Sequence, residues 1–124
     1  MDRELSHAQS VTITHVPSGT RIGVQVVVAH SFWRRFKGLM GTVELSPGHG
    51  MLFPHTNSVH MFFMRYPLCV LYLTQDFIVL RRVVLRPWRI GPVVRRAYWV
   101  LEMPASVASQ ISAGDSLDVK IVAR

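Results

Sequence analysis

The chain contains a single cysteine among its 124 residues, so an internal disulfide is excluded. It also lacks an apolar run near the roughly 20 residues that a membrane-spanning helix needs. The longest candidate, "YPLCVLYL" at residues 66–73, is more typical of a buried strand. The opening "MDRELSHAQS" has neither the apolar stretch nor the cleavage site of a secretory signal. We therefore expect a cytoplasmic protein with no membrane partner.

Acidic residues are also scarce, since 7 Asp and Glu accompany 14 Lys and Arg and the formal charge is +7 at pH 7. Such a balance attracts anionic partners over long range, although an arginine-rich composition also arises from a GC-rich genome. Only 17% of the residues are charged and 49% are hydrophobic, which is typical of a compact globular chain. We expect one domain over residues 1–124, with residues 1–9 as a flexible tail.

Alternating apolar and polar residues predict many short strands. "SVTITHV" and "RIGVQVVVAH" flank the turn "VPSGT" and indicate a hairpin. Further strands are predicted at "MLF", "SVHMFFM", "LCVLYLT", "FIVLRRVVL", "AYWVLEM" and "DSLDVKIVA". "SFWRRFKGLMG" predicts a short helix capped by Ser31, and "PASVASQISAG" predicts another that begins at Pro104. The sequence thus predicts a mainly β domain, a sandwich or distorted barrel of short, largely antiparallel strands with one or two short helices.

Six motifs occur in the order and spacing of a known family: "RFKGLMG", "GHGMLF", "NSVHMFFMRYPL", "RPWRIGP", "VLEMPA" and "ISAGDSL". Over about residues 35–117 the chain resembles the family DUF192, also called UPF0127. The resemblance implies a compact, mainly β domain but no activity and no catalytic residues. The recurrent positions of the family correspond here to Arg35, Gly38, Leu39, Met40, Gly50, Met51, Met64, Arg65, Pro67, Leu68, Glu102, Gly114 and Asp115.

Two residues depart from the family pattern. Cys69 stands where the family usually has an aspartate, and Thr42 stands where it commonly has an arginine. If those two family residues form a structural contact with each other, the loss of one partner explains why this chain has also lost the other. If the aspartate serves chemistry, this chain has lost or changed that chemistry.

A candidate ligand site lies around the segment "NSVHMFFMR". In a strand, His60 would share one face with apolar neighbours, and Asn57 and Arg65 would lie at the two ends of the other face. Convergent polar groups in an apolar setting are typical of small-ligand sites, and an arginine fork suits carboxylate or phosphate. We therefore take His60, Arg65, Glu102, Asn57 and Arg35 as candidate contacts of a small anionic ligand. The alternatives are a core histidine and a structural ion pair between Glu102 and Arg35 or Arg65.

Nucleophilic and metal chemistry find less support. Cys69 lies among apolar residues, as buried free cysteines often do, which disfavours pairing with His60 as an activated nucleophile. His49, His55 and His60 are near several methionines but match no zinc spacing. We expect no metal and no cofactor, and the sequence leans against enzymatic activity.

The strongest alternative is the stretch "RRVVLRPWRIGPVVRR", residues 81–96, named here the arginine-rich segment. It contains no acid, and arginines neutralise phosphates while a tryptophan can stack on bases. The alternative to a functional surface is a solvated strand and loop in which arginine stems cover apolar atoms. The sequence therefore also predicts a nucleic-acid-binding or protein-assembly module whose candidate contacts are Arg81, Arg82, Arg86, Trp88, Arg89, Arg95 and Arg96.

Overall fold

The computed structural model describes residues 10–29, 45–58 and 66–122, and within them it has seven β-strands and one 3₁₀ helix. The strands are β1 (Ser10–His15), β2 (Thr20–Val28), β3 (His49–Pro54), β4 (Leu68–Leu73), β5 (Val79–Leu85), β6 (Trp99–Pro104) and β7 (Leu117–Ile121), and the helix is Ala105–Gln110. The predicted mainly β class is therefore confirmed. The helix predicted at residues 31–41 and residues 59–64 of the predicted strand lie outside the described residues.

The strands form one sheet in the order β5-β4-β6-β3-β2-β1-β7. All the neighbouring pairs of this sheet are antiparallel except β2 and β3, which are parallel. The predicted hairpin is formed by β1 and β2, and Gly19 in its turn has φ 73°, a conformation that glycine adopts without strain. The final strand, β7, returns to pair with β1, so the first and last strands of the chain are neighbours in the sheet.

The two edge strands of the sheet approach each other. Ile78 and Ser116 form a bridge, Val79 N–H donates to Asp115 O at 2.9 Å, and Leu117 N–H donates to Phe77 O at 3.0 Å. These bonds draw β5 toward β7, so the sheet curls into a half-barrel. The curl satisfies backbone groups that an open edge would leave to solvent or to another chain.

Two apolar clusters cover the two faces of the sheet. In β4 alternate residues separate, so that Leu71 joins the cluster inside the curl and Val70 joins the cluster on the other face. Every residue of β4 and of β6 is buried, which explains why the sequence of β4 shows no polar alternation. The inner cluster also contains Trp99, whose ring stacks on Phe77 at a centroid distance of 5.1 Å.

Close packing between β3 and β6 fixes one glycine. A Cβ at Gly50 would lie 2.5 Å from the Glu102 carbonyl oxygen and 2.5 Å from Met103 Sδ. Only a residue without a side chain fits this position unless the backbone shifts. Among the described residues, no helix has the length and hydropathy to cross a membrane.

Candidate functional sites

Glu102 lies at the centre of the sheet, on β6. It pairs with Met51 on β3 and with Val70 on β4, and its residue exposure is 0%. Met51, Val70 and Val100 belong to the apolar cluster on this face, as does Tyr72. The pKa of Tyr72 is raised mainly by burial and also by the charge of Glu102, while the charge of Arg81 opposes the shift.

Asn57 is exposed and lies beyond the end of β3. Its backbone oxygen accepts a hydrogen bond from Val94 N–H at 2.9 Å, which connects it to the arginine-rich segment. His60, Arg65 and Arg35, the other candidate contacts of a small ligand, lie outside the described residues. The five-residue site remains a prediction.

The sole cysteine is in the inner cluster. Cys69 is 0% exposed, and burial raises the pKa of its thiol to about 11, an effect that the charge of Arg82 opposes. A thiol with this pKa is almost wholly protonated at neutral pH and is a poor nucleophile. Among the described residues, no three His, Cys, Asp or Glu side chains are placed to share a metal ion.

The arginine-rich segment begins on the edge strand β5, where Arg81 and Arg82 project to opposite faces. Arg81 pairs with Tyr72 on β4. Arg82 instead donates from Nη1 to the carbonyl oxygens of Ala108 and of Ile111, the latter at 2.7 Å. These carbonyls lie at the end of the 3₁₀ helix, where backbone acceptors need partners. Arg82 therefore holds the helix against the sheet.

Beyond β5 the segment forms a loop with exposed cations and apolar side chains. Its exposed arginines are Arg86, Arg89, Arg95 and Arg96. Exposure reaches 59% for Trp88, 70% for Ile90 and 65% for Val93. Trp88 has φ 68°, in the left-handed region that non-glycine residues seldom adopt. This combination of positive charge and outward apolar surface is named here the basic loop surface.

Hydrogen bonds attach the loop to β4 and to the segment that follows β3. Tyr72 Oη donates to the Pro92 carbonyl oxygen at 2.8 Å, and Val94 N–H donates to Asn57 O at 2.9 Å. Within the loop, Arg89 N–H donates to Arg86 O at 3.3 Å and Ala97 N–H donates to Val94 O at 2.9 Å. These bonds hold the backbone of the loop against the rest of the domain.

A polar cluster at the hairpin end received no role in the sequence analysis. His15 contacts Ser18 Oγ through Nδ1 and Asp115 Oδ2 through Nε2, each at 2.7 Å. His15 and Asp115 are 100 positions apart in the chain and meet because β7 pairs with β1. The only sequence signal was the recurrence of Asp115 in the family motif.

Comparison with known proteins agrees with this fold. The chain matches the family described as Uncharacterized ACR (DUF192) over residues 13–119. It is 32% identical to a UPF0127 protein of Pyrococcus furiosus, with 84% of this chain and 94% of the relative covered. A UPF0127 protein of Thermococcus sibiricus is 30% identical, with 78% and 67% covered.

Two solved structures share the architecture with a TM-score of 0.71 and 26% sequence identity. One is a protein from Sinorhizobium meliloti provisionally described as a transcription regulator, with 88% of this chain and 91% of that chain covered. The other is a protein of unknown function from Novosphingobium aromaticivorans, with 88% and 83% covered. The fold thus defines a curled, mainly β domain without an assigned activity. The chain belongs to the DUF192 (UPF0127) family.

Proposed function

We propose that this protein binds single-stranded nucleic acid through the basic loop surface. The observation that carries the proposal is a tryptophan with 59% exposure in a loop with four exposed arginines. Residues 77 to 101 contain no acidic residue, so no carboxylate from this stretch of the chain competes for these guanidinium groups. Arginines contact phosphates, and an aromatic ring stacks on an unpaired base of any sequence.

The position of the loop after β5 suits single-stranded nucleic acid better than base-specific contact with a duplex. The loop follows an edge strand, and no helix of the described residues is long enough to read a major groove. Ile90 and Val93 add apolar surface beside Trp88 against which bases can pack. The provisional description of the S. meliloti neighbour as a transcription regulator is consistent with a nucleic-acid partner.

Fluorescence anisotropy with a labelled single-stranded oligonucleotide tests this proposal. Binding should weaken steeply between about 50 mM and about 200 mM salt, because each phosphate contact releases counterions. Arg89→Ala should lower the slope of log affinity against log salt by about 0.7, the value for one phosphate contact on a single strand. Lys120→Ala is the matched control, since it also removes one exposed positive charge but lies on β7. An equal effect of both variants would contradict a specific surface.

Substitution of Trp88 separates stacking from general attraction. Trp88→Leu should weaken binding by about 1–3 kcal/mol, the usual contribution of a base stacked on an aromatic ring. Trp88→Phe should retain most of the affinity because the ring remains. If Trp88→Leu and Trp88→Phe weaken binding equally, Trp88 does not stack on a base. If the wild-type protein prefers anionic vesicles to oligonucleotides, the surface binds membrane and the proposal is wrong.

A second candidate function is non-catalytic binding of a small anionic ligand on the sheet face that contains Glu102. What supports it is an apolar wall, formed by Met51, Val70 and Val100, around one buried carboxylate and the Tyr72 hydroxyl. Native mass spectrometry of the gently purified protein should then show an additional small mass that is lost on denaturation. Arg65→Ala should release that mass while the fold remains intact, and retention of the mass in this variant would exclude Arg65 as a contact.

A further inference from the structure

The cluster at the hairpin end has the connectivity of a base-activated nucleophile. Ser18 is exposed in the turn, and its Oγ lies 2.7 Å from His15 Nδ1. His15 is 5% exposed, and its Nε2 lies 2.7 Å from Asp115 Oδ2. The same carboxylate oxygen accepts a hydrogen bond from Ser112 N–H at 2.9 Å. A chain of hydrogen bonds thus connects a hydroxyl, an imidazole and a carboxylate, the groups that serve as nucleophile, base and orienting residue in such sites.

The contacts determine the direction of the hydrogen bonds. The hydrogen bond from His15, followed by that from Ser112 N–H, holds the pKa of the Asp115 carboxyl below its usual value, so this group is ionised at neutral pH. An ionised carboxylate only accepts, so His15 Nε2 carries the proton and donates it. In the neutral imidazole, Nδ1 is then the acceptor for the Ser18 hydroxyl proton. This is the tautomer that a general base requires.

A groove adjoins the cluster. It has a volume of about 330 Å³ and is lined by Thr20, Arg21, Ile22, Val24, Pro47, Gly48, Pro104, Ser106, Val107 and Gln110. Thr20 belongs to both features, because its backbone N–H also donates to Ser18 Oγ at 3.2 Å. The nucleophile is therefore two residues from the end of a concave surface large enough for a small molecule.

The lining of the groove indicates a class of substrate. Arg21 is its charged member, and the hydroxyl of Ser106 and the amide of Gln110 add polar groups on the helix side. The remaining lining is mainly apolar. A guanidinium in such a setting favours a molecule with a carboxylate attached to a short apolar body.

We propose that Ser18, His15 and Asp115 form a hydrolytic site for small esters that carry a carboxylate. Ser18 Oγ forms a bond to the ester carbonyl carbon while its proton passes to His15 Nδ1. The ester C–O bond then breaks, and the leaving alkoxide takes that proton as an alcohol. Water next attacks the acyl-serine, His15 receives the water proton, and return of the proton to Ser18 Oγ releases the carboxylic acid. Asp115 is a positioning residue that keeps the proton on Nε2.

The opposing interpretation is that these contacts only fix the hairpin turn against β7. Both interpretations predict that His15 contributes to stability, so unfolding measurements do not separate them. They differ in the reactivity of Ser18. A turn-fixing serine has the low nucleophilicity of an ordinary hydroxyl, whereas a base-activated serine reacts with electrophilic phosphorus.

Reaction of the full-length chain with an alkyl fluorophosphonate, followed by peptide mass spectrometry, tests the proposal. In this reaction the Ser18 Oγ–P bond forms, the P–F bond breaks, and fluoride leaves together with the serine proton. The expected result is a single adduct on Ser18. Ser18→Ala should abolish it, and Ser46→Ala, which removes another exposed serine outside the cluster, should leave it unchanged. Absence of the adduct on Ser18 in the wild-type protein would overturn the proposal.

The dependence on the base is measured with two variants. His15→Gln should slow labelling of Ser18 by at least about 100-fold, the lower value for general-base catalysis. Asp115→Asn keeps the shape of the side chain and should also slow labelling, so it replaces His15→Gln if circular dichroism shows that the latter is unfolded. If either folded variant were labelled at the wild-type rate, activation of Ser18 by His15 and Asp115 would be contradicted.

The role of the groove is tested by ester hydrolysis. The folded wild-type protein should hydrolyse p-nitrophenyl hemisuccinate, which carries a carboxylate, with a higher kcat/KM than the neutral p-nitrophenyl butyrate. Arg21→Gln should remove that preference, mainly by raising KM for the hemisuccinate. An equal preference in Arg21→Gln would show that the groove does not select the carboxylate.

Discussion

The polar cluster of His15, Ser18 and Asp115 and the basic loop surface belong to the same curled sheet. The cluster buries most of its polar groups, whereas the loop exposes them. In the cluster, His15 contacts Ser18 and Asp115 at 2.7 Å each and is almost wholly buried. In the loop, the guanidinium groups of Arg86, Arg89, Arg95 and Arg96 are exposed. Buried polar groups need partners, whereas exposed cations need only water. Substitutions in the cluster should therefore change stability and proton chemistry, and substitutions in the loop should change binding alone.

The largest expected difference in stability separates two arginines of the same segment. Arg82→Ala removes the hydrogen bonds to the carbonyl oxygens of Ala108 and Ile111 and should lower the free energy of unfolding by about 1.5 kcal/mol. This value is at the lower end for charged donors because Arg82 is exposed. Arg89→Ala should change it by less than about 0.5 kcal/mol. Urea denaturation measures both, and equal losses would remove the distinction between structural and binding arginines.

The attachment of the loop to the sheet gives a smaller effect on stability and a larger one on binding. Tyr72→Phe removes the hydrogen bond to the Pro92 carbonyl oxygen and should reduce the free energy of unfolding by about 1 kcal/mol. The loop should then sample more conformations, which would weaken oligonucleotide binding because ordering it costs entropy. Unfolding and anisotropy measured on the same preparation check both effects. Unchanged binding would show that the loop does not depend on this contact.

The polar cluster should affect how the free energy of unfolding changes at acidic pH. The folded-state pKa of Asp115 is lowered, so its contribution to stability is present above the unfolded value of about 3.9 and is lost as the pH falls through the folded value. Asp115→Asn lacks this contribution. The stability difference between wild type and variant should therefore be larger at neutral pH than at about pH 3. A difference that is independent of pH would contradict an ionised Asp115 in contact with His15.

The smallest expected signal comes from the buried thiol and serves as a contrast to Ser18. Since the pKa of Cys69 is about 11, iodoacetamide should not alkylate the folded protein at about pH 8 but should alkylate it in urea. Mass spectrometry distinguishes the two states. Rapid alkylation of the folded chain would mean that the inner cluster opens or that Cys69 is more accessible than its burial indicates.

Local sequence patterns were sufficient where structure depends on near neighbours. The turn "VPSGT" predicted the hairpin, the apolar run of β4 predicted a fully buried strand, and Pro104 marked the start of the short helix. The parallel pairing of β2 with β3 and the return of β7 to β1 could not be read in this way. Strand order depends on which faces bury one another after long connections close, and no local spacing encodes that.

The same limit explains what was found and what was missed at the candidate sites. The exposed arginines and Trp88 are close in sequence, so a shared basic segment could be predicted from the sequence alone. The contact between His15 and Asp115 spans 100 positions and exists only because β1 and β7 pair. The structural role of Arg82 likewise required the packing of the 3₁₀ helix against β5.

The central claim, that the basic loop surface is the nucleic-acid contact, is tested most directly by hydrogen exchange with and without a saturating single-stranded oligonucleotide. We expect slower exchange in peptides that cover residues 86–97, with little change in the hairpin of β1 and β2. Unchanged exchange in the loop, or protection confined to another region of the bound protein, would contradict it.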